Sequence, residues 1–264
     1  MKQLANTVRG HVLKMSTAAR TAHLASALSV VDILVAATSI LNGNPKEPEH
    51  PDRDRLILSK GHAVSALYAV LAERGYFPVE WLENYNHNGG RLPEQPSPHC
   101  LPGVELATGS LGHGLPVGLG LALAARIQGR DYRTMVVMSD GECQEGSVWE
   151  AAMMAPRHKL NKLTVVVDHN KWQGTGRTSE FVQLEPIVPK FQAFGWNALE
   201  IDGHDLEALL ESLQDRPELD QPTAVIAHTI KGRGVSFMQD DNNWHYRVPT
   251  ADELAAALKE LGVA

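Results

Sequence analysis

The stretch Val136-Val137-Met138-Ser139-Asp140-Gly141-Glu142-Cys143-Gln144-Glu145-Gly146, read with Asn170 thirty positions beyond Asp140, decides how this chain folds. An apolar run, Met135 to Met138, stops at Asp140-Gly141; a second, Leu163 to Val167, stops at Asp168-His169-Asn170. Short β-branched runs bounded by turn residues suit a sheet covered on both faces, so both read as buried parallel strands. Trp149 to Lys159, between them, is long enough for a helix, with Pro156 as a candidate early stop. Strand, helix, strand makes a right-handed crossover that delivers both strand ends to one edge of the sheet. Asp140 and Asn170 are therefore expected side by side.

A carboxylate and an amide oxygen at that edge form a hard-oxygen site suited to Mg²⁺, which keeps few protein ligands and fills its shell with diphosphate oxygens and water. Ca²⁺ or Mn²⁺ could take the same oxygens. Gly141 lets the backbone approach a phosphate, and the turn feeds a helix N-terminus whose free N–H groups favour anions. The same residues also make an ordinary Asp-Gly turn and a strand-end Asn, and spacing alone does not separate the two.

Composition narrows the classes. The 264 residues, 43% hydrophobic and 21% charged, can bury a full core and suit one large α/β domain. A net charge of −7 with scattered signs offers no basic stripe for nucleic acid. No apolar run approaches the roughly 18 residues of a membrane span, and Met1-Lys2-Gln3-Leu4-Ala5-Asn6 lacks a secretory core, so no membrane role and a cytoplasmic location are expected. Cys100 and Cys143 are too few for a disulfide framework, and Cys143 reads as a small filler beside the site.

Along the chain, Val8, Val12, Met15 and Ala19, then Leu28, Val31 and Val35, predict two helices broken near residues 21–26. Asp32 lies in an apolar stretch and needs a partner. Arg55 to Ser59 reads as a strand, followed by Lys60-Gly61-His62 and a helix from Ala63 to Arg74. Residues 87–105 form a Gly- and Pro-rich loop, and Gly109, Gly112, Gly114, Gly118 and Gly120 let backbone and helix Pro116–Gln128 pack closely. A helix from Pro186 to Phe194, a strand from Trp196 to Ile201, an Asp205-capped helix to Leu213, a strand from Thr223 to Thr229 and a helix from Ala251 to Leu261 complete the chain.

Asp140-Gly141 with Asn170 resembles the thiamine diphosphate signature, Gly-Asp-Gly, some thirty residues, then Asn; Gln144-Glu145-Gly146 and Asp168-His169-Asn170-Lys171 are similar to a transketolase in particular. Ser139 replaces the first Gly, which is tolerable if its φ is negative and its hydroxyl finds a partner. Further stretches resemble transketolases: Ala22-His23-Leu24-Ala25-Ser26 with Asp32, Ser59-Lys60-Gly61-His62, Thr108-Gly109-Ser110-Leu111-Gly112-His113-Gly114, Lys231-Gly232-Arg233-Gly234, and Trp244-His245. The matches run from His23 to His245.

The resemblance implies an α/β fold, a mainly parallel sheet flanked by helices on both faces, with residues 1–264 as the N-terminal, diphosphate-binding domain of a transketolase. It implies Asp140, Asn170 and the Trp172 carbonyl as metal ligands. His62, Gly109, Ser110, Leu111, Gly141, Glu145, Asn170 and His245 would contact thiamine diphosphate. His23, His62 and His245 would bind hydroxyls or move protons, and Glu145 would lie at a subunit contact. His204 matches a family Gly-His-Asp whose role reads as structural. Gln95 falls where many members have a Gly-His-Pro histidine, with His99 as a substitute.

The family's cofactor is activated by a glutamate from the pyrimidine-binding domain of a facing protomer. The resemblance thus implies half of a split enzyme that requires a separately encoded C-terminal subunit carrying that domain, in an α2β2 assembly. It would transfer a two-carbon ketol unit from a ketose to an aldose, each a sugar or sugar phosphate. A non-catalytic or regulatory homologue, or a subunit of another thiamine diphosphate enzyme, are the competing readings. The latter should lack the Ser59-Lys60-Gly61-His62 and Lys231-Gly232-Arg233-Gly234 contexts.

Overall fold

The computed structural model describes residues 1–97 and 100–263. Five strands form one sheet in the order β1-β2-β3-β5-β4: β1 Arg55–Leu58, β2 Thr134–Ser139, β3 Leu163–His169, β4 Asn197–Asp202 and β5 Thr223–His228. Every pairing is parallel, with Ser139 opposite Asp168 and His169 opposite His228. Parallel neighbours need crossovers, and the helices supply them on both faces.

Alternation along the strands divides the interior in two. Leu58, Met135, Val137, Val166 and Val225 face a layer built from α1 (Lys2–Ala19), α2 (Leu24–Ser29), α3 (Val31–Ile40) and α4 (Val64–Glu73), with α9 (Leu206–Ser212) and α10 (Ala251–Leu261). Ile57, Val136, Met138, Val165 and Val167 face α5 (Gly114–Gln128), α6 (Gly146–Arg157) and α8 (Ile187–Phe194). Each buried aliphatic side chain contributes roughly 1.5–3 kcal/mol, so β2 and β3, buried along nearly their whole length, anchor the sheet. A four-residue helix, α7 (Thr178–Phe181), follows β3.

The α5 glycines show why small residues were needed. A Cβ on Gly118 would overlap the Val136 side chain, and one on Gly114 would overlap Ser59, whereas Gly120 meets nothing. α6 runs through Pro156 to Arg157, so that proline ends it within a residue. Among the described residues no helix is long and apolar enough to cross a membrane.

One local expectation is corrected. The first forty residues form three helices, broken at Arg20–His23 and again at Val30. The stretch Leu28 to Leu34 gives no sign of the second break, which falls directly after Ser29. Ser29 lies at the end of α2, and its hydroxyl bonds the Ser26 carbonyl (3.1 Å) and the Asp168 carboxylate (2.7 Å).

Candidate functional site

The site forms where β2 and β3 end. Asp140 follows β2 and is fully buried. Its Oδ1 accepts from the Gly141 N–H at 2.9 Å, and its Oδ2 accepts from the Lys171 N–H at 2.9 Å and the Thr178 hydroxyl at 3.0 Å. Asn170, at the end of β3, accepts from the Trp172 N–H at 3.0 Å and donates to Ser29 Oγ at 3.2 Å. The residue after Asn170 thus bonds directly to Asp140, and the two strand tips are joined as the crossover predicts.

A carboxylate has about four lone-pair sites and an amide oxygen two. Those contacts leave one on Asp140 Oδ1 and one on Asn170 Oδ1. Burial raises the Asp140 pKa to about 6, with the Asp168 charge adding to the rise and the Thr178 hydroxyl opposing it. Burial outweighs the hydrogen bonds and the Lys60 charge that favour the ionised form, and a divalent metal would favour that form further. Ser139 keeps the turn sound in place of a glycine: it ends β2, is absent from the positive-φ residues, and its hydroxyl accepts from the Glu142 N–H at 3.2 Å.

A cleft of about 340 Å³ opens beside these tips. His23, His62 and His245 converge in it from three separate segments, with ring centroids 5.3 Å (His23–His62), 4.8 Å (His23–His245) and 6.5 Å (His62–His245) apart. His23 adopts φ 68°, ψ 12° at the start of α2, a left-handed conformation that costs a non-glycine residue about 1 kcal/mol or more. Its N–H donates to the His245 carbonyl at 2.6 Å, which fixes the two segments together. His23 Nδ1 is buried and has no hydrogen-bond partner among the described residues.

Two buried lysines surround the cluster. Lys60, fully buried, donates to Asp168 Oδ2 at 2.6 Å and to the Ser26 carbonyl at 3.1 Å. Asp168 also accepts from Ser29 and Thr229. Lys231, fully buried too, reaches Asn242 Oδ1 at 2.7 Å, His245 Nδ1 at 2.9 Å and the Gln173 carbonyl at 3.4 Å. Burial and then the Lys60 charge lower the Lys231 pKa to about 7. Burial and then the Lys231 charge lower His245 to about 3. His23 is lowered by the same causes, and His62 falls well below its ordinary value through burial and the Lys60 charge. The three imidazoles are neutral at pH 7 and can donate or accept without carrying charge.

Of the residues expected at the site, Gly109, Leu111, Gly141, Glu145, Asn170 and Trp172 also line the cleft. Ser110 lies exposed in the loop before α5, its carbonyl 3.2 Å from His113 Nδ1, and does not line it. Glu145 is exposed at the N-cap of α6, without a side-chain capping bond. Gln95 lines the cleft against Gly109, while the expectation for His99 falls outside the described residues. His204 is structural: Nδ1 lies 2.7 Å from Asp32, and Nε2 accepts from the Ile230 N–H at 2.8 Å. Cys143 is buried, and burial pushes its thiol up, which fits a filler.

Sequence reasoning gave no role to Glu142, Asp168, Lys60 or Lys231, all fully buried. Glu142 braces the turns after β1 and β2 and the loop before α5, accepting from Ser59 Oγ, from the Gly112 N–H at 2.9 Å and from the Ser139 N–H at 3.3 Å. The available signal was a charged residue placed directly at the end of an apolar strand, as Lys60 and Asp168 both are.

Comparison with known proteins identifies the family and supports the fold. A family model described as the thiamine diphosphate binding domain of transketolase matches residues 1–264. An apulose-4-phosphate transketolase subunit from Actinobacillus succinogenes is 43% identical over 240 residues, 90% of this chain and 87% of that protein. A 6-deoxy-6-sulfo-D-fructose transketolase subunit of Clostridium sp. is 36% identical over 263 residues, 99% of this chain and 96% of that one. The solved transketolase of Campylobacter jejuni superposes with a TM-score of 0.93 at 29% identity, over 99% of this chain but only 42% of that chain.

Proposed function

The chain belongs to the transketolase family as an N-terminal, thiamine diphosphate-binding subunit of a transferase, and on that premise we propose how its residues act. Asp140, Asn170 and the Trp172 carbonyl hold a divalent ion, Mg²⁺ first among candidates, against the cofactor's diphosphate. The lone pairs left at the joined strand tips support this, as does the burial that raises the Asp140 pKa. When bound, thiamine diphosphate supplies a stabilised carbanion equivalent for cleaving the bond beside a ketose carbonyl.

The residues of this chain perform the remaining tasks. The neutral rings of His23, His62 and His245, which line the cleft, hold substrate hydroxyls and exchange protons with them. Backbone at Gly109, Leu111 and Gly141 leaves room for the diphosphate. The net reaction is transfer of a two-carbon ketol unit from a ketose to an aldose. The convergence of three histidines from distant segments beside the Asp140–Asn170 junction carries this reading.

The two relatives are named for apulose 4-phosphate and 6-deoxy-6-sulfo-D-fructose, each with an anionic group. A sugar carrying phosphate or sulfonate is therefore our first candidate donor. Their designation as subunits supports a separately encoded partner that contributes the pyrimidine-binding glutamate, in an α2β2 assembly within the cytoplasm. The test is to purify this chain with such a partner and assay ketol transfer with Mg²⁺ and thiamine diphosphate. Activity from the mixture and from neither part alone is expected; an inactive saturated mixture across phosphorylated, sulfonated and neutral ketoses would contradict the reading.

A further inference from the structure

The two ring nitrogens of His23 have different surroundings. Nδ1 is sealed from solvent and has no hydrogen-bond partner among the described residues, whereas Nε2 lies on the open side of a ring that lines the cleft. Among the described residues, the one acidic group within reach of Nδ1 is Glu94, whose Oε1 lies 4.0 Å away, just beyond a hydrogen bond. Glu94 belongs to the loop before α5, and the chain on either side of it is tied down. Tyr85 bridges to Leu92, and the Asn86 N–H donates to the Leu92 carbonyl at 2.7 Å. Leu92 and Pro96 are buried, and Gln95 packs on Gly109. The carboxylate is therefore held beside Nδ1 by its buried neighbours.

Burial, then the Lys231 and Lys60 charges, keep the ring neutral, so it carries one proton, on Nδ1 or on Nε2. A bare Nδ1 would turn its lone pair toward a carboxylate in a place sealed from water, whereas Nδ1–H turns a donor toward it. From this arrangement we propose that Glu94 is a positioning residue that sets His23 as the Nδ1–H tautomer, leaving the Nε2 lone pair to accept from a substrate hydroxyl. The proposal rests on the ketol-transfer reading. Closing the gap between Oε1 and Nδ1 to a hydrogen bond takes a side-chain movement of about 1 Å. When the bound hydroxyl gives up its proton, the O–H bond breaks, Nε2–H forms and the electron pair stays on the substrate oxygen. The ring is then an imidazolium, and the Glu94 carboxylate faces its charge.

The molecule already uses this device once. His204 sets its Nδ1 2.7 Å from the Asp32 carboxylate while its Nε2 accepts from the Ile230 N–H, so a carboxylate on one nitrogen goes with a lone pair on the other. At His23 the acceptor side is left open to the cleft. The remaining titratable and charged groups around the ring are His62, His245, Tyr246, Lys60 and Lys231, and none of them is a carboxylate. The main chain fixes where the ring stands, through the left-handed conformation of His23 and its N–H bond to the His245 carbonyl. The choice of nitrogen falls to Glu94.

Two measurements test the proposal. Long-range ¹H–¹⁵N NMR of the isolated chain at pH 7, with His23 assigned through H23Q, reads the tautomer without requiring turnover. Nδ1 protonated and Nε2 bare is expected in the wild type. E94A should move the ring toward Nε2–H, and E94Q, whose amide oxygen still accepts, should keep Nδ1–H. With its side chain 36% exposed, Glu94 carries little of the core, and both variants should fold. Nε2 protonated in the wild type, or an E94A ring with the wild-type tautomer, would overturn the proposal. In the reconstituted enzyme, E94A should lower kcat about tenfold while KM and thiamine diphosphate affinity change less than about threefold, and E94Q should recover part of the loss. Wild-type kcat in E94A would overturn it as well. If the wild-type mixture transfers no ketol unit, the functional reading fails while the NMR result still judges the tautomer.

Discussion

Two buried clusters in this molecule use the same residue types to opposite ends. In the first, Asp32 is bonded by Arg9 and by His204 Nδ1, while His204 Nε2 accepts from Ile230, so every polar atom of the imidazole is occupied. In the second, His23 Nδ1 has no partner among the described residues, nor do Gln144 Nε2 and Gln173 Nε2 along the same cleft. Lys231 leans on His245 in place of a carboxylate. Arg9 Nε is also without a hydrogen-bond partner but does not line the cleft; an imidazole with both nitrogens filled ties segments together, whereas one left open beside a cleft retains a donor or acceptor for something that arrives. Histidine content distinguishes neither, but the filling of the ring nitrogens beside the cleft does.

The contrast can be broken by substitution. Arg9→Ala should destabilise the chain most, by about 3–5 kcal/mol, because it leaves the Asp32 charge buried with a partner removed. Urea unfolding would show it, and thiamine diphosphate affinity should not follow. His245→Gln should act the other way: kcat in the reconstituted enzyme falls about a hundredfold, while the urea midpoint of the isolated chain stays within experimental error. His204→Ala costs about 1–3 kcal/mol of stability by orphaning the Ile230 N–H, without a change in the pH profile of activity. If His204→Ala and His245→Gln had the same signature, the contrast would have no content.

Acid should separate the clusters by window. Burial raises the Asp32 pKa, but His204 and Arg9 outweigh that and hold it below its ordinary 3.8. Its contribution is therefore present above the unfolded value and lost only as pH falls through the lower folded value. His23 and His245 are depressed below 6.5, so unfolded chains bind protons that the folded histidines refuse, and stability already declines as pH falls below 6.5. Unfolding midpoints of the ligand-free chain from pH 8 to pH 3 should fall first through Lys231, whose folded pKa of about 7 lies below its ordinary 10.5, and then through the histidines, and the H23Q/H245Q double variant should flatten the portion between pH 6.5 and 4.5. The smallest effect belongs to Cys143→Ala, a loss of about 1 kcal/mol with catalysis intact, and the native thiol should resist alkylation.

Much of the architecture was legible because it is local. β2, β3 and β5 contain short apolar runs that stop at polar residues, while β4 at the sheet edge alternates, and Asp205 announces its helix by accepting from the Glu207 and Ala208 N–H groups. The strand-tip pair Asp140 and Asn170 followed from one topological rule. The partners that create the site's electrostatics were not legible, because Lys60 meets Asp168 across 108 positions and Ser29 meets it across 139. Asp32 shows the boundary clearly. Its apolar neighbours signalled that it must be paired, yet only the fold could supply Arg9 and His204.

The central claim concerns one ion gripped by two strand tips. The most direct test is a crystal structure of this chain with its partner subunit, thiamine diphosphate and Mn²⁺ in place of Mg²⁺, with the ion located by its anomalous signal. The account predicts a single peak about 2.2 Å from an Asp140 carboxylate oxygen and from Asn170 Oδ1, with the Trp172 carbonyl and the diphosphate completing the shell. A bound cofactor whose ion lies beyond reach of either side chain would contradict it.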